Sequence, residues 1–102
     1  MKCWKLICHI DDIPPLGSRL IKNKGPDIAL FRNAENEVFA MHDKCPHKGG
    51  PLSEGIVHGR SVTCPLHGMN IRLDDGQAIA PDTGHTPCIE IKLAEEHVYL
   101  KL

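Results

Sequence analysis

Lys44-Cys45-Pro46-His47-Lys48-Gly49-Gly50-Pro51-Leu52-Ser53-Glu54-Gly55, followed further on by Cys64-Pro65-Leu66-His67-Gly68, is the stretch on which the reading of this chain turns. Each part couples one thiol to one imidazole, with one residue between them in the first pair and two in the second. Sixteen residues separate His47 from Cys64. Two close-set donor pairs on two loops can close a four-ligand metal site without a strand supplying any ligand. The neighbouring glycines and prolines let the backbone turn tightly and approach a metal. Residues 43–68 hold five of the nine glycines, together with Pro46, Pro51 and Pro65, so strands here can only be short, with Ser61–Thr63 a candidate. The expectation is a loop-built subdomain, about 43–69, inserted between two parts of a β scaffold.

Outward from that segment the apolar residues repeat every second position. Trp4, Leu6, Cys8 and Ile10 alternate with Lys5 and His9. Ile89, Ile91 and Leu93 alternate with Glu90 and Lys92, and Val98, Leu100 and Leu102 with Tyr99 and Lys101. Such alternation describes half-buried antiparallel strands, one face in the core and one in water. The runs Ile28–Arg32 and Val38–His42 are almost continuously apolar and flank Asn33-Ala34-Glu35-Asn36-Glu37, a hairpin loop. Asp74-Asp75-Gly76 reads as a further turn, returning through Gln77–Ala80. No helical stripe persists over three turns. The predicted fold class is all-β, with residues 1–102 as a single domain.

The composition narrows the function. Twelve basic against thirteen acidic side chains give a formal charge of −1 over 102 residues, which argues against a nucleic-acid surface or a polybasic membrane-binding one. The longest unbroken apolar runs have four residues, Ile28–Phe31 and Val38–Met41, far short of a bilayer span. Residues 1–5 lead into alternating sequence without an apolar secretion core, so the expected location is cytoplasmic. Five Cys and seven His are many for this length. An odd Cys count without an export signal points to metal rather than to a disulfide framework. Cys3, Cys8 and Cys88 read as core or surface thiols, and His9, His42, His58, His85 and His97 as surface or loop residues, with His85 nearest the site. No nucleophile–base pair and no phosphate-cradling glycine loop is present, so the chain is expected to be non-catalytic alone.

Two donor sets compete for Cys45, His47, Cys64 and His67. A structural zinc module accepts two Cys and two His, but its usual spacing pairs Cys with Cys and His with His. Here each pair mixes the two types. Mixed pairs suit a two-iron cluster in which one iron takes both thiolates and the other both imidazoles.

The segment Cys45-Pro-His47-Lys-Gly-Gly-Pro-Leu-Ser-Glu-Gly55 with Cys64-Pro-Leu-His67-Gly68 resembles the Rieske [2Fe–2S] proteins. The resemblance runs from about Ile28 to Cys88. It implies an antiparallel β-sandwich with the cluster bound by Cys45 and Cys64 on the buried iron and His47 and His67 on the iron nearer solvent. It also implies a third loop over the cluster, for which Pro81-Asp82-Thr83-Gly84 is the candidate. In the quinol-oxidising branch each ligand loop adds a Cys, and the two form a disulfide. Those positions here are Gly50 and Leu66. A Ser after the second loop's Gly is replaced by Met69, which has no hydroxyl to donate to a sulfide, so the potential is expected at the low end of the Rieske range. Within the soluble branches, Ala29–Arg32, Glu37–Ala40, Lys48-Gly49-Gly50-Pro51 and Pro81–Gly84 more closely resemble the small subunit of assimilatory NAD(P)H-dependent nitrite reductase. That family's large catalytic subunit, carrying flavin, sirohaem and a [4Fe–4S] cluster, reduces nitrite to ammonia in nitrate assimilation. Some small subunits of that type lack the four ligands, whereas this sequence keeps all four. The alternative is a Rieske ferredoxin serving a ring-hydroxylating dioxygenase, with another redox protein as partner.

Two thiolates and two neutral imidazoles leave an oxidised core of two ferric ions and two bridging sulfides uncharged, which eases addition of an electron. The gap between roughly −400 mV for all-thiolate clusters and about −150 mV for low Rieske ones corresponds to about 6 kcal/mol for one electron. The implied function is one-electron transfer, with Pro46, Pro65, Leu66 and Met69 as an apolar docking rim. Imidazole ligands that can lose their outer proton imply a potential that falls at alkaline pH.

Overall fold

The computed structural model describes residues 2–46, 49–66 and 68–102. Among the described residues, nine strands form three antiparallel sheets of three. The central sheet comprises β2 (Gly17–Ile21), β3 (Ile28–Arg32) and β4 (Val38–His42), in that spatial order. A second holds β1 (Trp4–His9), β9 (His97–Lys101) and β8 (Ile91–Ala94). The third holds β5 (Ile56–His58), β6 (Ser61–Thr63) and β7 (Asn70–Arg72). The only described helical turns are the 3₁₀ segments Ile10–Asp12 and Leu52–Glu54. Among the described residues, no helix is long and apolar enough to cross a membrane.

The continuous apolar run of β3 has a simple physical cause: its sheet is covered on both faces. Ile28 and Leu30, with Ala40 of β4, pack against Cys8, Ile13, Val98 and Leu100 beneath the β1–β9–β8 sheet. Ala29 and Phe31, with Phe39 and Met41, pack the other way, against Val57, Val62 and Ile71 of the third sheet. A strand buried on both sides has no polar face to show in its sequence. Strands with one wet face, such as β9, alternate as predicted, with Val98 and Leu100 fully buried.

The hairpin β3–β4 runs in register from Ile28 opposite His42 to Arg32 opposite Val38. Its loop is held by Asn33, whose buried side-chain oxygen accepts from the backbone N–H groups of Glu35 and Glu37. The turn at residues 74–76 is also present, but its return forms no strand and makes isolated bridges, Ala78 with Ile71 and Gln77 with His85.

One strand departs from the sequence reading. Leu6 pairs with Tyr99 and Cys8 with Val98, so Ile7 is an extra residue in β1. Such a bulge reverses the alternation beyond it. Trp4 and Leu6 therefore lie on the outer face, 40% and 60% exposed, while Cys8 turns into the core. The Lys92 ammonium sits 4.6 Å from the Trp4 ring centre and 5.4 Å from that of Tyr99 on this outer face.

Candidate metal centre

The two cysteine loops share one backbone plan. In the first, Cys45 N–H donates to Gly50 O at 2.8 Å, and Gly49 N–H donates to Cys45 O at 2.9 Å. In the second, Cys64 N–H donates to Met69 O at 2.7 Å, and Gly68 N–H donates to Cys64 O at 3.1 Å. Both loops turn back through a left-handed glycine four residues after the cysteine, φ +71° at Gly49 and +67° at Gly68. A side chain at either position would be strained. The one-residue difference in Cys-to-His spacing thus falls inside loops of equal length.

Both thiols are directed inward. Cys45 and Cys64 are almost fully buried and belong to the same core cluster as Leu52, Val62 and Ile71. The loops touch at Gly50: a Cβ placed there would lie 2.6 Å from Leu66 Cδ1 and 3.7 Å from Cys64 Sγ. Two thiols brought to one buried place by matched loops, with a bare glycine between those loops, fit a group that binds two thiolates in a water-poor setting. His47 and His67 lie outside the described residues, as does Lys48.

Side-chain hydrogen bonds close each loop at its neck. The Asp43 carboxylate accepts from Ser53 N–H at 2.6 Å and from the Ser53 hydroxyl at 2.9 Å, bridging the two ends of the first loop. The Ser18 hydroxyl donates to Ser53 O and ties this neck to β2. At the second loop, the Thr63 hydroxyl donates to Asn70 Oδ1 at 2.6 Å, and His58 Nε2 lies 2.6 Å from the same hydroxyl oxygen. Because that hydroxyl's single proton is committed to Asn70, His58 must be the donor to it. Nothing in the sequence marks these residues as braces: Ser53 reads as part of the loop segment and His58 as a surface histidine. The others are small polar residues within polar surroundings, and only their pairing distinguishes them.

The segment proposed as a third loop does reach the first. A Cβ on Gly84, at φ +111°, would sit 3.2 Å from Pro46 Cβ. The fully buried Thr86 hydroxyl donates to Lys44 O at 2.9 Å. A cavity of about 510 Å³ opens between these loops, bounded by Cys45, Pro46 and Gly49 on one side and His85 and Thr86 on the other. His85 therefore borders the site.

Pro65 and Leu66 are exposed at the loop tips, and Pro46 is half-buried. Met69 is not part of this rim. It is 5% exposed and packs in the core, because the Cys64 N–H bond to its carbonyl folds the chain inward directly after Gly68. Of the other cysteines, Cys8 is buried, while Cys3 and Cys88 are exposed, Cys88 on the segment leading to β8. Partial burial of its sulfur pushes the thiol pKa of Cys88 up, with smaller contributions from the Asp75 and Asp74 carboxylates.

Comparison with known proteins agrees with this geometry. Residues 3–90 match the Rieske [2Fe–2S] domain. Over 65 residues, 64% of this chain, the sequence is 43% identical to the 4beta-methylsterol monooxygenase of Methylococcus capsulatus, of which those residues cover 18%. The chain thus spans less than a fifth of that relative. It is 32% identical over 100 residues to the ferredoxin component of the naphthalene 1,2-dioxygenase/salicylate 5-hydroxylase systems of Ralstonia, covering 97% of this chain and 95% of that one. The NMR structure of the E. coli protein NirD superposes with a TM-score of 0.84 at 28% identity, covering 100% of this chain and 98% of that one. Matched cysteine loops on a three-sheet scaffold, together with these likenesses, show that the chain belongs to the Rieske [2Fe–2S] domain family, whose cofactor is a Rieske-type cluster.

Proposed function

We propose that this electron-transfer protein is the small subunit of an NAD(P)H-dependent nitrite reductase, passing electrons to or within a large catalytic subunit that reduces nitrite to ammonia. The observation that carries the reading is full-length likeness to NirD, a nitrite reductase small subunit. The resemblance of Lys48–Pro51 and Pro81–Gly84 to that group adds to it. In this reading residues 1–102 act as one domain in the cytoplasm, with a cluster-binding part at about 43–69.

Cys45 and Cys64 would hold one iron through their thiolates, and His47 and His67 the other through their imidazoles. The cluster supplies one-electron transfer. The chain's own residues keep water from the two sulfurs by burying both cysteines against Leu52 and Val62. The hydrogen bonds of Asp43 and Thr63 fix the loop necks, so the donors keep their spacing while the charge changes. Pro65 and Leu66 give the tips an apolar surface against which a partner can exclude water.

The second reading, a ferredoxin feeding a ring-hydroxylating dioxygenase, is favoured by the 32% identity to the Ralstonia component over nearly the whole chain. Co-purification from the native host separates the two. A large partner that oxidises NAD(P)H only with nitrite supports the first, and one that hydroxylates an aromatic substrate overturns it in favour of the second. The ligand assignment is checked separately by His47→Ala and His67→Ala in anaerobically purified protein. Each must lose the reduced Rieske EPR signal, and retention of iron, sulfide and that signal in either refutes it.

A further inference from the structure

A second cavity, about 620 Å³, lies beside the one at Cys45, and the two share His42 and Pro87 as walls. Together they form a groove from the first cysteine loop to the N-terminal segment and the end of β9. Its charge is one-sided. Lys44 borders the part at the loop, and Lys2, Lys5 and Lys101 border the far part, against one carboxylate side chain among the described lining residues, that of Glu90. This lies in a chain whose formal charge is −1, so positive charge is gathered here and negative charge lies elsewhere. Glu90 pairs with Lys101 at 3.7 Å. Among the described residues, neither Lys2 nor Lys5 has an ion-pair partner.

The walls also include apolar side chains, with the half-buried Ile89 and Leu102 and the exposed Pro87 set among the lysines. Lysines interspersed with apolar wall residues suit an extended segment whose side chains alternate between acidic and apolar, since successive residues of a strand point to opposite sides. A small free anion would use the charge and leave those apolar side chains wet.

We propose that this groove takes an acidic, extended polypeptide segment of the electron-transfer partner and so holds the partner against the Cys45 loop. The inference rests on the reading that the chain delivers electrons to another protein, whichever enzyme that is. Charge complementarity in such contacts acts mainly on encounter rate and register.

The test uses the ¹⁵N-labelled holoprotein and two probes: an end-blocked hexapeptide of alternating glutamate and valine, about 20 Å when extended, and inorganic phosphate. The peptide is expected to give saturable shifts at Lys2, Lys5, Ile89 and Lys101. Its Kd rises about tenfold or more in Lys2→Glu/Lys5→Glu, and stays within twofold in Lys24→Glu/Lys92→Glu, which makes the same charge change outside both cavities. Shifts centred elsewhere, or equal affinity in both double variants, overturn the inference. Displacement of the peptide by equimolar phosphate also overturns it, in favour of a small-anion site. The outcome does not depend on nitrite: a partner that proves to be an oxygenase sinks the proposed function and leaves this result standing.

Discussion

Gly50 and Leu66 occupy the positions at which the quinol-oxidising Rieske proteins carry a pair of disulfide-bonded cysteines, and the geometry here accommodates that bond. A Cβ on residue 50 would lie 3.0 Å from Leu66 Cγ, the atom whose place a cysteine sulfur takes in the same rotamer. In a disulfide, a Cβ lies about 3 Å from the far sulfur, given an S–S bond of about 2.04 Å. Gly50 is not among the residues with positive φ, so a cysteine is permitted there, and removing Leu66 removes the contact at 2.6 Å that a Cβ would otherwise make. The variant Gly50→Cys/Leu66→Cys should therefore oxidise to an internal bridge. It closes a loop of about 15 residues, for which restriction of the unfolded chain contributes about 3 kcal/mol. In a domain of this size that corresponds to a rise in Tm of about 12–24 °C over the reduced form. The wild-type chain has five cysteines. After acid removal of iron and sulfide, the oxidised variant should titrate as the same five and the reduced variant as two more, with peptide mapping to place the bridge. Two extra thiols that persist after oxidation, or melting curves that coincide with and without reductant, would refute the packing of the two loops described above.

Further outcomes follow for named residues. Gly76→Ala should destabilise the fold by about 3 kcal/mol or more, because the new Cβ would meet Thr86 O at 2.1 Å at a φ of +73°. Gly59→Ala, at φ +57° with open space around it, should cost only about 1 kcal/mol, and thermal melts of the pair compare the two. Asp43→Ala leaves the Ser53 N–H without its acceptor and should cost about 1–3 kcal/mol, read by denaturant melts and by faster bleaching of the visible spectrum. Cys88 has a raised thiol pKa, so its thiolate fraction at neutral pH is below that of an ordinary cysteine. Mass spectrometry of iodoacetamide-treated protein should show its labelling accelerate only at pH values above the usual thiol range. Should His47 and His67 hold the outer iron as proposed, their outer imidazole protons would leave more easily from the oxidised centre, favouring the oxidised form as pH rises. The potential should then fall in the alkaline range by about 59 mV per pH unit for each proton, and a flat potential in voltammetry would contradict imidazole ligation.

The sequence made the scaffold legible where each strand has one consistent environment. Alternation in β9 and the continuous run of β3 correspond to one wet face and to none, respectively. It misled at β1, since nothing in Trp4-Lys5-Leu6-Ile7-Cys8 marks the extra residue: the bulged Ile7 is as apolar as its neighbours. Met69 misled for a related reason. An apolar residue after a ligand loop reads equally as rim or core, and its backbone bond to Cys64 decides the matter. The candidate cysteines Cys45 and Cys64 stand out in the sequence because their residue types and glycine-rich context are chemically unusual. The groups that brace them were not, because Asp43–Ser53 and Thr86–Lys44 are ordinary polar pairs separated by 10 and 42 residues.

Those bracing contacts bear on how a loop-built site holds a rigid geometry. A loop is normally the least constrained part of a fold, and electron transfer favours a centre whose ligands move little when the charge changes. Here neither cysteine belongs to a strand, yet each is tied to the sheets within a few residues. Asp43 follows β4 and grips Ser53, which in turn is held by Ser18 of β2. Thr63 ends β6 and grips Asn70, the first residue of β7. The neck of each loop thus has the stiffness of a sheet, while the tips at Pro65 and Leu66 stay exposed. The sheets set the spacing of the two thiols, and the loops set what a partner meets. Substitutions at the tips should therefore alter partner affinity with little change in potential, whereas substitutions at the necks should alter the potential and the lifetime of the centre together.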